Sequence, residues 1–195
     1  MNVLVIPEDF RKDQYMLHPL IMALFDAVGR PRAKILVCRD PLLGGIGEAL
    51  KEERIDAIIQ RYQGMVDLFL LCVDRDGHAH RRQRLDDLEA HARTRLPPSR
   101  ILLAEHAWQE LEVWVLAGHD LLEGWSWPAI RAEPNPKEIY FDHLAQVRGV
   151  RDEPGEGRRT LAHEAARRYR RIRQRCPEDI GALEHRIRAW IEASS

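Results

Sequence analysis

Four short apolar runs constrain this chain most: Val3 to Ile6, Lys34 to Cys38, Leu68 to Val73 and Ile101 to Ala104. Each is too short for a helix, rich in Val, Ile and Leu, and free of polar alternation. Strands buried on both faces have this appearance. The stretches between them have helical spacing. Tyr15, Leu20, Phe25 and their neighbours line one face before Gly29 and Pro31 end the pattern, and Pro19 predicts a kink or a late helix start. Gly44, Gly45 and Gly47 form a turn, Glu48 to Tyr62 resumes a helical pattern, and Arg81 to Arg95 is a further helix closed by Pro97 and Pro98. Strands alternating with helices imply right-handed crossovers, and so an α/β fold with a mostly parallel four-stranded sheet flanked by helices.

The final third changes character. A proline-rich connection (Pro128, Pro134, Pro136) precedes helical segments around Glu138 to Gln146, Thr160 to Arg175 and Asp179 to Ala193, with a loop over Arg151 to Arg159. A chain of 195 residues, 45% hydrophobic, suits one core and leaves too little for two independent ones. The expected organisation is an α/β core over residues 1–125 and a helical, Arg-rich extension over 126–195 packed on it. Cys38, Cys72 and Cys176 are odd in number and lack paired spacing, which argues against a disulfide framework and a zinc cage. Cys38 and Cys72 read as small core residues. The N-terminus lacks a signal-peptide pattern and no apolar run is long enough to span a membrane, so a cytoplasmic location without membrane contact is expected. A net charge of −1 excludes a uniformly basic nucleic-acid coat but not a local basic face.

In open parallel sheets, ligands bind beyond the carboxyl ends of the strands. The first strand exits into Pro7-Glu8-Asp9 and the third into Asp74-Arg75-Asp76-Gly77. If strand geometry persists past Val73, Asp74 and Asp76 project to one side, with Gly77 allowing a tight turn. Paired carboxylates repel unless a cation lies between them, and oxygen-only donors suit Mg²⁺ or Mn²⁺. With Glu8 they would form an acidic triad for one or two metals, able to activate water in phosphodiester cleavage. The plain alternative is that Asp and Gly are common turn residues. An EF-hand loop lacks its further ligands here, the aspartyl-phosphatase DxD belongs after a first strand, and P-loop, GxSxG and HExxH patterns are missing.

This arrangement resembles the Toprim fold of topoisomerases, bacterial primases, recombination mediators and nucleases of the overcoming-lysogenization-defect class. The opening from Pro7-Glu8-Asp9 to His18-Pro19-Leu20 is similar to that of short Toprim-like proteins. The segments Glu110-Leu111-Glu112-Val113-Trp114-Val115-Leu116-Ala117 and Asn135-Pro136-Lys137-Glu138 look like two signatures of one Toprim-like family. The resemblance implies a Mg²⁺- or Mn²⁺-dependent nuclease or nuclease subunit, an AAA-type ATPase partner and a role in phage defence. It also departs from the pattern: Asp9 stands where Toprim enzymes have Gly, and Pro7 precedes Glu8. A non-catalytic Toprim-fold module binding an ATPase or nucleic acid therefore stays open, as does a homo-oligomer. Neither topoisomerase nor primase activity is expected: these 195 residues leave no room for tyrosine-bearing and gate domains, and the cysteines cannot supply a primase's zinc module.

The expected site assigns Glu8, Asp74 and Asp76 to metal and catalysis, Glu112 to metal as ligand or positioning group, and Lys137 to phosphate or leaving-group charge. Glu112 reads equally as a surface carboxylate beside core Trp114, and Lys137 as a solvated helix-start residue. His78, His80 and Asp40 read as turn residues. Trp108, Trp114, Trp125 and Trp127 either stack on bases or pack the C-terminal helices. Arg158, Arg159, Arg167, Arg168, Arg170, Arg171, Arg173 and Arg175 predict one basic helix with Leu161, Ala165, Tyr169 and Ile172 as its buried stripe. Arg167, Arg168, Arg170 and Arg171 are the expected nucleic-acid contacts; a solvated face or a dock for an acidic partner are the alternatives.

Overall fold

A computed structural model describes residues 1–194; Ser195, the last residue of the expected extension, lies outside the described residues. All four apolar runs are strands: β1 (Asn2–Pro7), β2 (Lys34–Val37), β3 (Leu68–Asp74) and β4 (Ile101–Ala107). They form one all-parallel sheet in the order β2-β1-β3-β4. The central pair is buried on both faces, which is why these runs show no alternation. The crossovers are α1 (Phe10–Ala27), the short α2 (Ile46–Ala49) with α3 (Glu52–Tyr62), and α4 (Arg81–Arg93).

Two cores result. Leu4, Ile6, Phe69, Leu71 and Val73 face α3 and α4, while Val3, Val5, Leu68, Leu70 and Cys72 face α1 and the C-terminal helices. Those helices are α5 (Glu112–Gly118), α6 (Trp127–Ala132), α7 (Asp142–Val147), α8 (Arg158–Ala166), α9 (Tyr169–Arg175) and α10 (Ala182–Ala193). Single π turns, Lys137–Phe141 and Pro177–Gly181, lead into α7 and α10. Cys38, Cys72 and Cys176 are free and buried, as small apolar residues are. No helix among the described residues is long and apolar enough to cross a membrane.

The helices differ from expectation in three places. Pro19 neither delays nor ends α1, which begins at Phe10 with the Asp9 side chain accepting from the Arg11 N–H at 2.9 Å. The expected Glu48 to Tyr62 helix is broken at Leu50 and Lys51. Ala49 and Ile55 are both fully buried in one core, yet six residues on a continuous helix would set them ~120° apart, so the break lets both face inward. The expected Thr160 to Arg175 helix is likewise two. Arg168 leaves helical geometry (φ −113°, ψ 32°), so α8 lies along α1 and α9 turns onto α5.

The tryptophans stitch the C-terminal helices to the sheet. Trp114 is fully buried and donates Nε1–H to Asp179 at 3.0 Å; Trp108 donates to the Arg131 carbonyl and Trp127 to the Arg175 carbonyl. Trp125 meets Tyr140 edge-on at 5.0 Å. Packing satisfies these polar edges, which is the second of the two expected roles. Gly118 closes α5 against α8 so tightly that a Cβ there would sit 2.6 Å from the Ala165 Cα. Gly118→Ala should therefore cost about 1–3 kcal/mol through overpacking, read as a lower urea midpoint at unchanged m-value.

Candidate acidic site at the strand exits

Parallel pairing brings the exits of β1 and β3 side by side, because Pro7 pairs with Cys72. Glu8 Oε2 accepts from the Asp74 N–H at 3.3 Å, so the first-strand carboxylate caps the third strand. Asp74 Oδ1 in turn accepts from the Leu111 N–H at 2.8 Å, tying the site to the turn before α5. Two further carboxylates close in. Asp13, one turn into α1, accepts from the Asp9 N–H at 2.8 Å. Glu112, in the first turn of α5, is 5% exposed.

These groups shift one another in a common direction. Burial pushes Asp74 well above the usual carboxylate range, and Glu112, Glu8 and Asp13 add to it. Asp13 rises to about 7, chiefly by burial, with Glu112, Asp9 and Glu8 contributing. Glu8 is raised by burial and by Asp76, against the Asp74 N–H bond. The cluster is thus short of positive charge, and its donors are all carboxylate oxygens, the chemistry that suits a hard divalent cation. Among the described residues, no group of three or more His, Cys, Asp or Glu side chains is arranged to hold a metal ion.

Asp76 departs from the geometry the sequence suggested. β3 ends at Asp74, and Asp76 adopts a left-handed backbone (φ 51°), with both Arg75 and Asp76 donating their N–H groups to the Gln109 carbonyl. The extended continuation that would align Asp74 with Asp76 is therefore interrupted. Asp76 is exposed, 3.7 Å from the Arg81 guanidinium, while still acting on Glu8. Gln109, also left-handed at φ 69°, accepts the Gly77 N–H at its side-chain Oε1, at 3.0 Å. His78 and His80 lie exposed in the same turn, and Asp40 pairs with Arg61.

Glu112 is not a surface carboxylate. It is ion-paired with Arg158, whose Nε lies 3.0 Å from Glu112 Oε1. Arg158 is 1% exposed, also bonds the Gly155 carbonyl and Glu156, and lies over the Phe141 ring. This corrects its expected place on a phosphate-contacting face: its charge is spent inside the molecule. Lys137 meets Glu110, whose Oε2 accepts the Lys137 N–H at 2.8 Å, and its Nζ reaches Glu138 at 2.9 Å. Burial works against it, but Glu138, Glu110 and Glu112 hold Lys137 above its ordinary range. Glu110 itself is pushed up to about 7 by burial. The Glu110–Ala117 and Asn135–Glu138 segments, separate in sequence, are therefore joined at this contact.

The basic surface is smaller than the sequence suggested. Arg168 and Arg171 converge on Asp120, Arg173 pairs with Glu184 and Arg175 bonds the carbonyls of Ala117 and His119. Arg167 and Arg170 are exposed and lack a carboxylate partner among the described residues.

Asp13, Glu110 and Arg158 were not legible as site residues. Asp13 has the form of an ordinary first-turn acid after a capping Asp9, and Arg158 was one arginine among many. The sign of their pH dependence follows from the raised carboxyls. Folded Asp13 keeps a proton that the unfolded chain releases near pH 4, so its protonated contribution is full below that pH and lost as pH rises through about 7. Thermal midpoints should fall as pH rises from about 4 to about 7, and Asp13→Asn should flatten that slope; an unchanged slope would remove Asp13 from the cluster.

Fold and site together define a parallel α/β protein with an acidic cluster at the exits of its two central strands. No protein-family model, curated protein or solved structure matches the chain.

Proposed function

We propose that this chain is a divalent-metal-dependent phosphodiesterase of Toprim type, a nuclease or the nuclease subunit of a two-protein system with an AAA-type ATPase. The observation that carries the reading is the gathering of carboxylates from β1, α1 and α5 around Asp74 at the exit of β3, where Glu8 accepts the Asp74 N–H. Glu8 and Asp74, at the adjoining strand exits, would hold Mg²⁺ or Mn²⁺, with Asp13 adding negative charge beside them and Asp76 at the rim. When bound, such an ion supplies an activated water and charge stabilisation for the leaving oxygen. Glu112 is a positioning group: held by Arg158, it sets the field around Asp74. Lys137, fixed between Glu110 and Glu138, keeps its proton and presents positive charge beside the acidic cluster.

The test is cleavage of supercoiled plasmid, single-stranded DNA and RNA by the purified chain with Mn²⁺, alone and with a candidate ATPase. Cleavage lost in Asp74→Asn supports the reading; equal cleavage in that variant overturns it. Backbone contact, if made by the C-terminal helices, rests on Arg167 and Arg170, since Arg168 and Arg171 already have Asp120. The double variant Arg167→Ala/Arg170→Ala should weaken nucleic-acid binding on all sequences and lower the salt slope by about 1 per lost phosphate contact. An unchanged slope would place the nucleic acid elsewhere.

One observation favours a second reading, a non-catalytic module. Asp74 is already bonded to the Leu111 N–H, and Glu112 is already neutralised by Arg158. A cluster balanced by protonation and one buried arginine could serve the fold alone. In that case neither Mn²⁺ nor Mg²⁺ raises the thermal midpoint, and Asp74→Asn has no metal-dependent effect.

A further inference from the structure

Away from the acidic cluster, a cavity of about 590 Å³ wraps the free edge of the sheet at β2. Its floor is apolar, built from Ile35, Leu36, Val37 and Pro19. Its charged lining is entirely basic: Arg39 follows β2, Arg159 projects from α8, and His18 on α1 lies near His163 on α8. Arg39 and Arg159 are exposed and lack a carboxylate partner among the described residues; Arg39 rests over the Phe10 ring at 5.7 Å. Burial first, and the neighbouring His163 second, hold His18 below the ordinary histidine range, so the cationic groups of the groove are Arg39 and Arg159. Most arginines elsewhere in the C-terminal helices have found carboxylates or carbonyls, so this gathering differs from the rest of the surface.

Two tyrosines supply planar surface. Tyr15 comes from α1 and Tyr62 from the end of α3, helices on opposite faces of the sheet, so both reach the edge groove. Tyr15 is held by a close approach: Gly155 has φ 72°, and a Cβ there would lie 2.5 Å from Tyr15 Cδ2. The last turn of the loop before α8 thus packs directly on the ring. A volume in the range of small-ligand sites, an apolar floor, aromatic surface and an unpaired basic rim suit a ligand with a planar body and a compact anionic head.

We propose that this groove binds a nucleoside monophosphate group, with Arg39 and Arg159 on the phosphate and Tyr15 and Tyr62 against the base. The group belongs either to a free nucleotide or to the phosphorylated end of a strand. The site is separate from the acidic cluster and does not depend on metal there. Arginine forks match phosphate oxygens, and base stacking on tyrosine tolerates any base, so all four nucleotides should bind.

The test is calorimetric titration of the full chain, without added metal, with AMP, CMP, GMP and UMP and with inorganic phosphate. Short oligonucleotides bearing a terminal phosphate or a terminal hydroxyl separate the two sources. Saturable binding at one site per chain is expected, with Arg39→Ala and Arg159→Ala each weakening it about tenfold at an unchanged thermal midpoint. Tyr62→Leu should lower affinity for nucleotides while leaving inorganic phosphate unaffected. Preference for the phosphorylated oligonucleotide over the free nucleotides assigns the group to a strand end; the reverse assigns it to a free nucleotide. No saturable binding at millimolar nucleotide, or binding unchanged in both arginine variants, overturns the proposal. Inorganic phosphate binding as tightly as AMP removes the nucleoside from it. Asp74→Asn should bind nucleotide as the native chain does, so loss of metal-dependent cleavage and loss of this site are read independently.

Discussion

Replacing Arg158 with methionine is expected to lower unfolding stability by about 3–5 kcal/mol, because it leaves Glu112 charged, buried and unpaired. Arg158 is enclosed completely, so solvent cannot replace the guanidinium. The Gly155 carbonyl and Glu156 lose donors in the same change. Methionine matches much of the arginine stem, so the loss is one of charge and hydrogen bonds more than of volume. The double variant Arg158→Met/Glu112→Gln removes both charges and should recover a large part of the deficit. Equilibrium urea unfolding of the two variants checks this. A single variant within about 1 kcal/mol of the native chain would overturn the claim that Glu112 depends on Arg158.

The second large effect separates scaffold from site. Asp74→Asn retains an oxygen that can accept from the Leu111 N–H and removes a charge opposed by Glu112, Glu8 and Asp13. Folded Asp74 holds its proton to higher pH than the unfolded chain does. Its stability contribution is therefore full below the unfolded-state pKa and lost as pH rises through the raised folded value. The variant should accordingly gain stability on the native chain steadily as pH rises above about 4, the ordinary aspartate range. Mn²⁺-dependent cleavage and Mn²⁺-dependent thermal stabilisation should both fall to background. Stability and activity moving in opposite directions is the signature of a functional carboxylate cluster. Loss of stability together with activity would instead mark Asp74 as a structural acceptor.

The strands were legible for a simple reason. Burial on both faces writes an uninterrupted apolar run, and pairing between such runs in a parallel sheet puts their carboxyl ends on one edge. Glu8 and Asp74 could therefore be placed together from spacing alone. Asp76 could not be placed so, because a left-handed residue at φ 51° ends the two-residue periodicity that would align it with Asp74. Helix breaks at Lys51 and Arg168 were hidden for a related reason: local composition favours helix through both positions, and the turn is imposed by which neighbouring layer each half must cover.

Charge was the least legible property. The run from Arg158 to Arg175 reads as a basic surface, yet tertiary contacts divide it. Arg158 goes inward to Glu112, Arg168 and Arg171 go to Asp120, Arg173 goes to Glu184, and Arg159 reaches the β2 groove. A sequence lists charges without their partners, and an arginine's behaviour depends on the carboxylate within a few ångströms.

By itself, then, the sequence determined a parallel α/β sheet whose first and third strands end in carboxylates, since apolar patterning is local and strand polarity follows from the crossovers. The tertiary structure alone decided that Asp13 joins those carboxylates, that Glu112, which the sequence left open between site and surface, is buried against Arg158, and that Asp76 turns to the rim. Those outcomes depend on contacts between residues distant in the chain, where burial and long-range charge, absent from any local pattern, set the energies.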